Sequence, residues 1–267
     1  MAILAGQLAG AAAGARGPTG PFELSIGFLA AGALLATFLW NENKAEPAKV
    51  SDGGDSENKE PSIRDAVKVV QGDPKIMLVG AVQSLFEAAM YIFVLQWPPA
   101  ISAAVGLAFD GAATPYGTVF SCFMASCLLG STIFSQLGKR NVPTEASTKA
   151  MLLVATVSMA VAAWVSSSGA AMAMPLAALV AAFFAFEGCV GMYFPSIGTL
   201  RSKYVPDSHR GVIMNLFGIP LNALVVTVFL SIKRLGVSGA LSVSAGALGL
   251  ASAAMLKLSS MTESKSE

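Results

Sequence analysis

The chain alternates between long apolar stretches and short polar breaks. Seven stretches of about 20 residues are long enough to cross a bilayer core as helices. They are Pro21–Trp40, Ile76–Gln96, Pro115–Leu137, Thr148–Ser168, Met172–Phe194, Gly211–Ser231 and Val237–Leu258. A shorter one, Met1–Gly14, predicts a short or incomplete helix. It lacks the basic n-region of a signal peptide, because Arg16 follows the apolar residues instead of preceding them. Few of these stretches alternate at period two, so a transmembrane barrel is not expected. The pattern predicts an all-α membrane protein with about seven or eight transmembrane helices.

The polar breaks add organisation. The stretch EPAKVSDGGDSENKEPS, inside a break from Asn41 to Asp73, has linker composition, and Ile63–Gln71 at its end predicts a short amphipathic helix along the membrane surface. Basic residues cluster on alternate breaks: Lys44, Lys49, Lys59, Arg64, Lys68 and Lys75, then Lys139, Arg140 and Lys149, then Arg201, Lys203 and Arg210, then Lys257 and Lys265. The opposite side holds only Arg16, Lys233 and Arg234. The positive-inside rule puts the richer side, and the C-terminus, in the cytoplasm. Composition agrees, with 54% hydrophobic and 12% charged residues, against roughly 25% charged in soluble domains. A net charge of +1 gives no reason to expect nucleic acid as a partner.

Within the spans a few polar side chains stand out. Glu87 falls near the middle of its span, where a charge costs at least about 2.5 kcal/mol on insertion scales. Gly80, Gln83, Glu87 and Tyr91 recur at helical spacing and share one face, with Ser84 beside them. Glu187 is the second intramembrane acid. Both acids follow a phenylalanine, in LFEAAMYIFVLQWPP and AFEGCVGMYFPS, a faint sign of a repeat. Asn215, Gly218 and Asn222 line another face near Pro220, fitting either a pathway wall or helix packing. Gly117, Ser121, Ala125, Gly130 and Ser131 put several small residues in one span, which suits close packing. Cys122, Cys127 and Cys189 lie in apolar stretches without metal or disulfide spacing. His209 is the sole histidine, and GxxxxGK[ST] is absent, so a Ser-His dyad, a His-rich metal site and ATP-driven pumping find no support. No enzyme activity, cofactor or metal is expected.

The segments GAVQSLFEAAMYIFVLQWPPAI, GTVFSCFMASCLLGSTIF and EGCVGMYFPSIGTLRSKYVPDSHRGVIMNLFGIPLNAL resemble the molybdate-anion transporters of the major facilitator superfamily. STIFSQLGKR resembles the facilitator loop motif G-x-x-x-D-x-x-G-[RK]-[RK]: Gly138, Lys139 and Arg140 match, while Ser131 and Ser135 replace the glycine and aspartate. The resemblance implies a facilitator-type bundle entered at about its fifth helix. Residues 1–41 are then the end of an N-terminal half, 42–75 a cytoplasmic linker, 76–258 a C-terminal six-helix half, and 259–267 a cytoplasmic tail. It also implies secondary uptake of molybdate, a tetrahedral dianion, across the cell membrane by alternating access. Gln83, Glu87, Tyr91, Glu187, Asn215 and Asn222 are the substrate or coupling candidates, with Glu87 as proton carrier. Gly138, Lys139, Arg140, Arg201 and Arg210 are expected in cytoplasmic gate loops, and any cationic clamp is expected in the further N-terminal half. The partners implied are the bilayer, the anion, and either a further N-terminal half or a second copy. Transport of another small solute, or a non-transporting receptor or assembly role, are the alternatives.

Overall fold

The computed structural model describes residues 2–40, 62–168 and 175–263, and these are helical with no strand among them. The elements are α1 (Ala2–Arg16), α2 (Gly20–Leu39), α3 (Ile63–Gly72), α4 (Pro74–Ala108), α5 (Tyr116–Lys139), α6 (Thr144–Ser168), α7 (Pro175–Tyr204) and α8 (Arg210–Glu263). Six of them are long and apolar enough to cross a membrane. The longest, α8, is two helices meeting at Gly236, whose φ of 63° and ψ of −174° suit glycine alone. Ile92 of α4 packs with Val228 before this elbow and Ala240 after it, so the two arms fold back on each other. The seven long apolar stretches thus all become membrane-length helices.

Helix starts follow local chemistry. The Ser62 hydroxyl accepts the Arg64 N–H at 3.3 Å and starts α3. The Asp73 carboxylate accepts the Lys75 N–H at 2.8 Å and starts α4, with Pro74 in the first turn. The amphipathic segment is a helix, as its pattern predicts. It buries Ala66 against Val205, Ile213 and Phe217, at the chain turn that leads into α8. The linker expected across residues 41–61 lies outside the described residues. Helix α4 outruns its expected end at Gln96, continuing through Pro98 and Pro99. Burial of Ala100, Ile101, Ala104 and Val105 in the main core offsets the ladder bonds those prolines remove.

That core joins α4, α5, α6, α7 and the second arm of α8 around Phe86, Phe93, Phe123, Phe183, Phe186 and Tyr193. Small residues on two sides of α5 let backbones touch. A Cβ on Gly130 would overlap the carbonyl of Gly188 in α7, and one on Gly191 would overlap that of Cys127. Higher on the same helix, Gly117 meets Gly6 and Gly10 of α1, and the Ser121 hydroxyl donates to the Ile3 carbonyl at 3.0 Å. Helix α2 packs on α1, and its only buried residue is Gly20.

Candidate functional site

Glu87 sits at the α4–α7 contact. Its Oε1 accepts hydrogen bonds from the Tyr193 hydroxyl at 2.9 Å and from Nη2 of Arg201 at 3.1 Å. The Nε of Arg201 donates to Gln83 Oε1 at 2.9 Å. Gln83 and Glu87 are one turn apart on α4, so a single guanidinium spans both. Phe86 fixes the neighbouring wall, stacking on Tyr193 with ring centroids 4.0 Å apart and on Phe186 at 6.0 Å. The two Phe-Glu sites noted in the sequence therefore meet through their phenylalanines, while Glu87 and Glu187 diverge.

Arg201 departs from expectation. It was expected in a gate loop, but α7 runs on to Tyr204 and keeps it helical. Side chains tilt toward the N-terminus of their helix, so the guanidinium reaches back into the bundle. Arg201 thus brings a basic group to the polar face of α4, a contact that charge patterning along the chain does not show. The Arg201 side chain remains 27% exposed and that of Glu87 19%. Among the described residues Nη1 of Arg201 and Oε2 of Glu87 have no hydrogen-bond partner. The pair is therefore a neutral dipole with an open side. A guanidinium so placed can take a carboxylate or a tetrahedral oxyanion on its free edge.

The other candidates are not gathered here. Tyr91 lies one turn beyond Glu87 on α4, is 49% exposed, and makes no hydrogen bond to a described residue. Glu187 is buried mid-helix near Cys127 of α5, with no hydrogen-bond or ion-pair partner among the described residues. Asn215 and Asn222 are exposed, and Asn222 donates to the Gly218 carbonyl of its own helix at 2.8 Å, so neither packs two described helices together. Gly138 and Lys139 form the last turn of α5, with Arg140 capping it, and all three are exposed. Arg210 opens α8, paired with Asp207.

Two groups escaped the sequence reading. Tyr193 completes the Glu87 site, and its only signal was a tyrosine downstream of the second Phe-Glu pair. At the ends of α6 and α7, Glu145 accepts from Lys203 at 2.5 Å and from the Tyr204 hydroxyl at 2.7 Å. Tyr204 also bonds Thr262 at the end of α8 at 3.1 Å, and Lys75 of α4 lies 5.8 Å from its ring centroid. This clasp ties four helices at one end. No group of three or more His, Cys, Asp or Glu side chains among the described residues is placed to hold a metal.

Residues 1–193 match the MFS_5 family model, described as sugar transporters with 12 transmembrane segments. The molybdate-anion transporter of Xenopus tropicalis is 28% identical over 226 residues, 84% of this chain and 46% of that protein. Those of Takifugu rubripes and Danio rerio are 27% and 28% identical over 223 residues each, covering 45% and 44% of those proteins. The chain thus spans about half the length of the curated relatives it matches. No solved structure matches it. A multi-pass helical bundle and a family match over residues 1–193 agree: the chain belongs to the MFS_5 family of major-facilitator transporters.

Proposed function

We propose that this chain supplies one half of the solute pathway of a secondary transporter for molybdate or a similar oxyanion, with Arg201 as the anion-binding donor. The observation that carries this reading is the guanidinium held by Gln83 and Glu87 with its Nη1 side open. An arriving dianion competes with Glu87 for Arg201. Protonation of Glu87 would release the guanidinium to the anion, which couples proton and oxyanion movement in one direction. In this reading α4 and α7 line the pathway at the boundary with further helices. A facilitator's central site is shared between halves, so an N-terminal half or a second copy faces them. Residues 42–75 then form the linker between halves and 76–258 the C-terminal half. The basic ends of α5 and α7 and the C-terminus lie on the cytoplasmic side of the cell membrane.

The test is molybdate uptake in a transport-deficient cell expressing the chain together with a facilitator N-terminal half. Arg201→Lys is expected to lower uptake at least ten-fold, since lysine cannot bridge Gln83 and the anion in the planar geometry of guanidinium. Glu87→Gln is expected to keep binding and lose the pH dependence of uptake. Normal uptake by Arg201→Lys would refute the assignment. The sugar-transporter description of the matched family favours a second reading, a neutral polyol bound by the same polar set. Hexose uptake that molybdate does not inhibit would select it.

A further inference from the structure

The geometry points to an anionic phospholipid bound in the groove between α5 and α6, with its acyl chain along the groove and its headgroup at the turn joining the two helices. Successive in the chain, α5 and α6 barely touch; both pack on α7 instead. The backbone contact of Gly130 with Gly188 draws α5 onto α7 and leaves a cleft of about 710 Å³ beside it. Its walls include Leu129, Ile133, Leu137, Val154 and Met192, and its floor is the Gly130–Gly188 crossing.

The polar groups along the cleft are already satisfied. The Ser126 hydroxyl donates to the Phe184 carbonyl at 2.6 Å, and that of Ser147 to Thr144 at 3.0 Å. Nothing there rewards a polar solute, whereas a hydrocarbon chain loses nothing by entering. The mouth is different. Arg140 continues the row of Ile133 and Leu137 at helical spacing; Lys139 and Lys149 lie at the same end of the two helices but on faces turned away from the cleft. None of the three has an acidic partner among the described residues, and Glu145, the nearest acid in sequence, is held by Lys203 and Tyr204. A cation without a counter-ion at the end of an apolar cleft, with two more at the same membrane boundary, is the arrangement expected for an anionic headgroup between membrane helices. The degenerate loop motif that contributed nothing to the Glu87 site thereby acquires a ligand.

The test uses the purified 267-residue chain in a mild detergent, with phosphatidylglycerol and phosphatidylcholine of identical acyl chains as probes. Retained lipid is counted by native mass spectrometry. Phosphatidylglycerol is expected to be retained in preference. Arg140→Gln should reduce that preference about five-fold while leaving phosphatidylcholine retention unchanged. Ala150→Trp, which fills the cleft from α6, should lower retention of both lipids, with circular dichroism confirming an intact helical fold. Equal retention of the two lipids by the unaltered chain would overturn the proposal. So would a phosphatidylglycerol preference that survives Arg140→Gln, or retention indifferent to Ala150→Trp.

Discussion

Replacing Arg201 by methionine removes the cation and keeps most of the side-chain volume. At an effective dielectric near 20, unit charges roughly 3 Å apart attract by about 5 kcal/mol, and the pair here is separated by 3.1 Å. Desolvation of both groups offsets much of that gain. Breaking a fully buried pair costs about 3–5 kcal/mol, while exposed pairs contribute about 0–1 kcal/mol. With side chains 27% and 19% exposed, the pair falls between these limits, and Arg201→Met should cost about 2 kcal/mol. Most of that cost comes from leaving Glu87 with Tyr193 alone. Glu87→Gln in the Arg201→Met background should therefore recover stability, because a neutral amide still accepts from the tyrosine. Equilibrium unfolding in mixed micelles with increasing SDS, for the two single variants and the double, gives the coupling directly. A coupling energy of zero would show that the two groups do not act as a pair, and would remove the basis for assigning Arg201 to the solute.

Gly191→Leu should destabilise the bundle by more than 2 kcal/mol in the same assay, since its side chain would occupy the Cys127 carbonyl and force two backbones apart. A shift below 0.5 kcal/mol, on the order of an innocuous surface change, would refute the contact. Gly236→Ala should cost about 1–3 kcal/mol by forcing a β-carbon into a backbone region open only to glycine, read as faster hydrogen exchange around the elbow; unchanged exchange there counts against the bend. Glu145→Gln should loosen the ends of α6, α7 and α8 together, because one carboxylate receives both Lys203 and Tyr204. The check is increased proteolysis near residue 262 without change at the α5–α7 crossing. Among the cysteines, Cys122 is exposed and Cys189 buried, so N-ethylmaleimide in detergent should label Cys122 and spare Cys189 until the chain is unfolded.

The spans were legible because burying a polar backbone in hydrocarbon leaves only helices or closed barrels available, and twenty apolar residues without period-two alternation advertise the helix regardless of what packs on them. Glu87 was legible for the related reason that an acid in an apolar stretch needs a partner. The partner was not. Arg201 is 114 positions away and sits in a basic cluster at a helix end, where charge patterning predicts a loop. Only the length of α7 and the backward lean of its side chains bring the guanidinium inward, and both are tertiary outcomes. The Glu145–Lys203 clasp was hidden similarly, since neither residue is unusual at a membrane boundary. Asn215 and Asn222 were legible only as a face: both are exposed, and Asn222 bonds its own helix, so what opposes that face is not written in their spacing.

The glycine crossing of α5 and α7 has a mechanical consequence. Where side chains mediate a contact, rotamer changes act as springs and absorb part of any displacement. At Gly130–Gly188 and Cys127–Gly191 backbone rests on backbone, leaving no torsion free to yield. A displacement of α5 at these points meets α7 with no side chain between to absorb it, and Tyr193 lies only two residues beyond Gly191. The stiffness of two glycine contacts makes the hydrogen bond to Glu87 a gauge of where α5 stands.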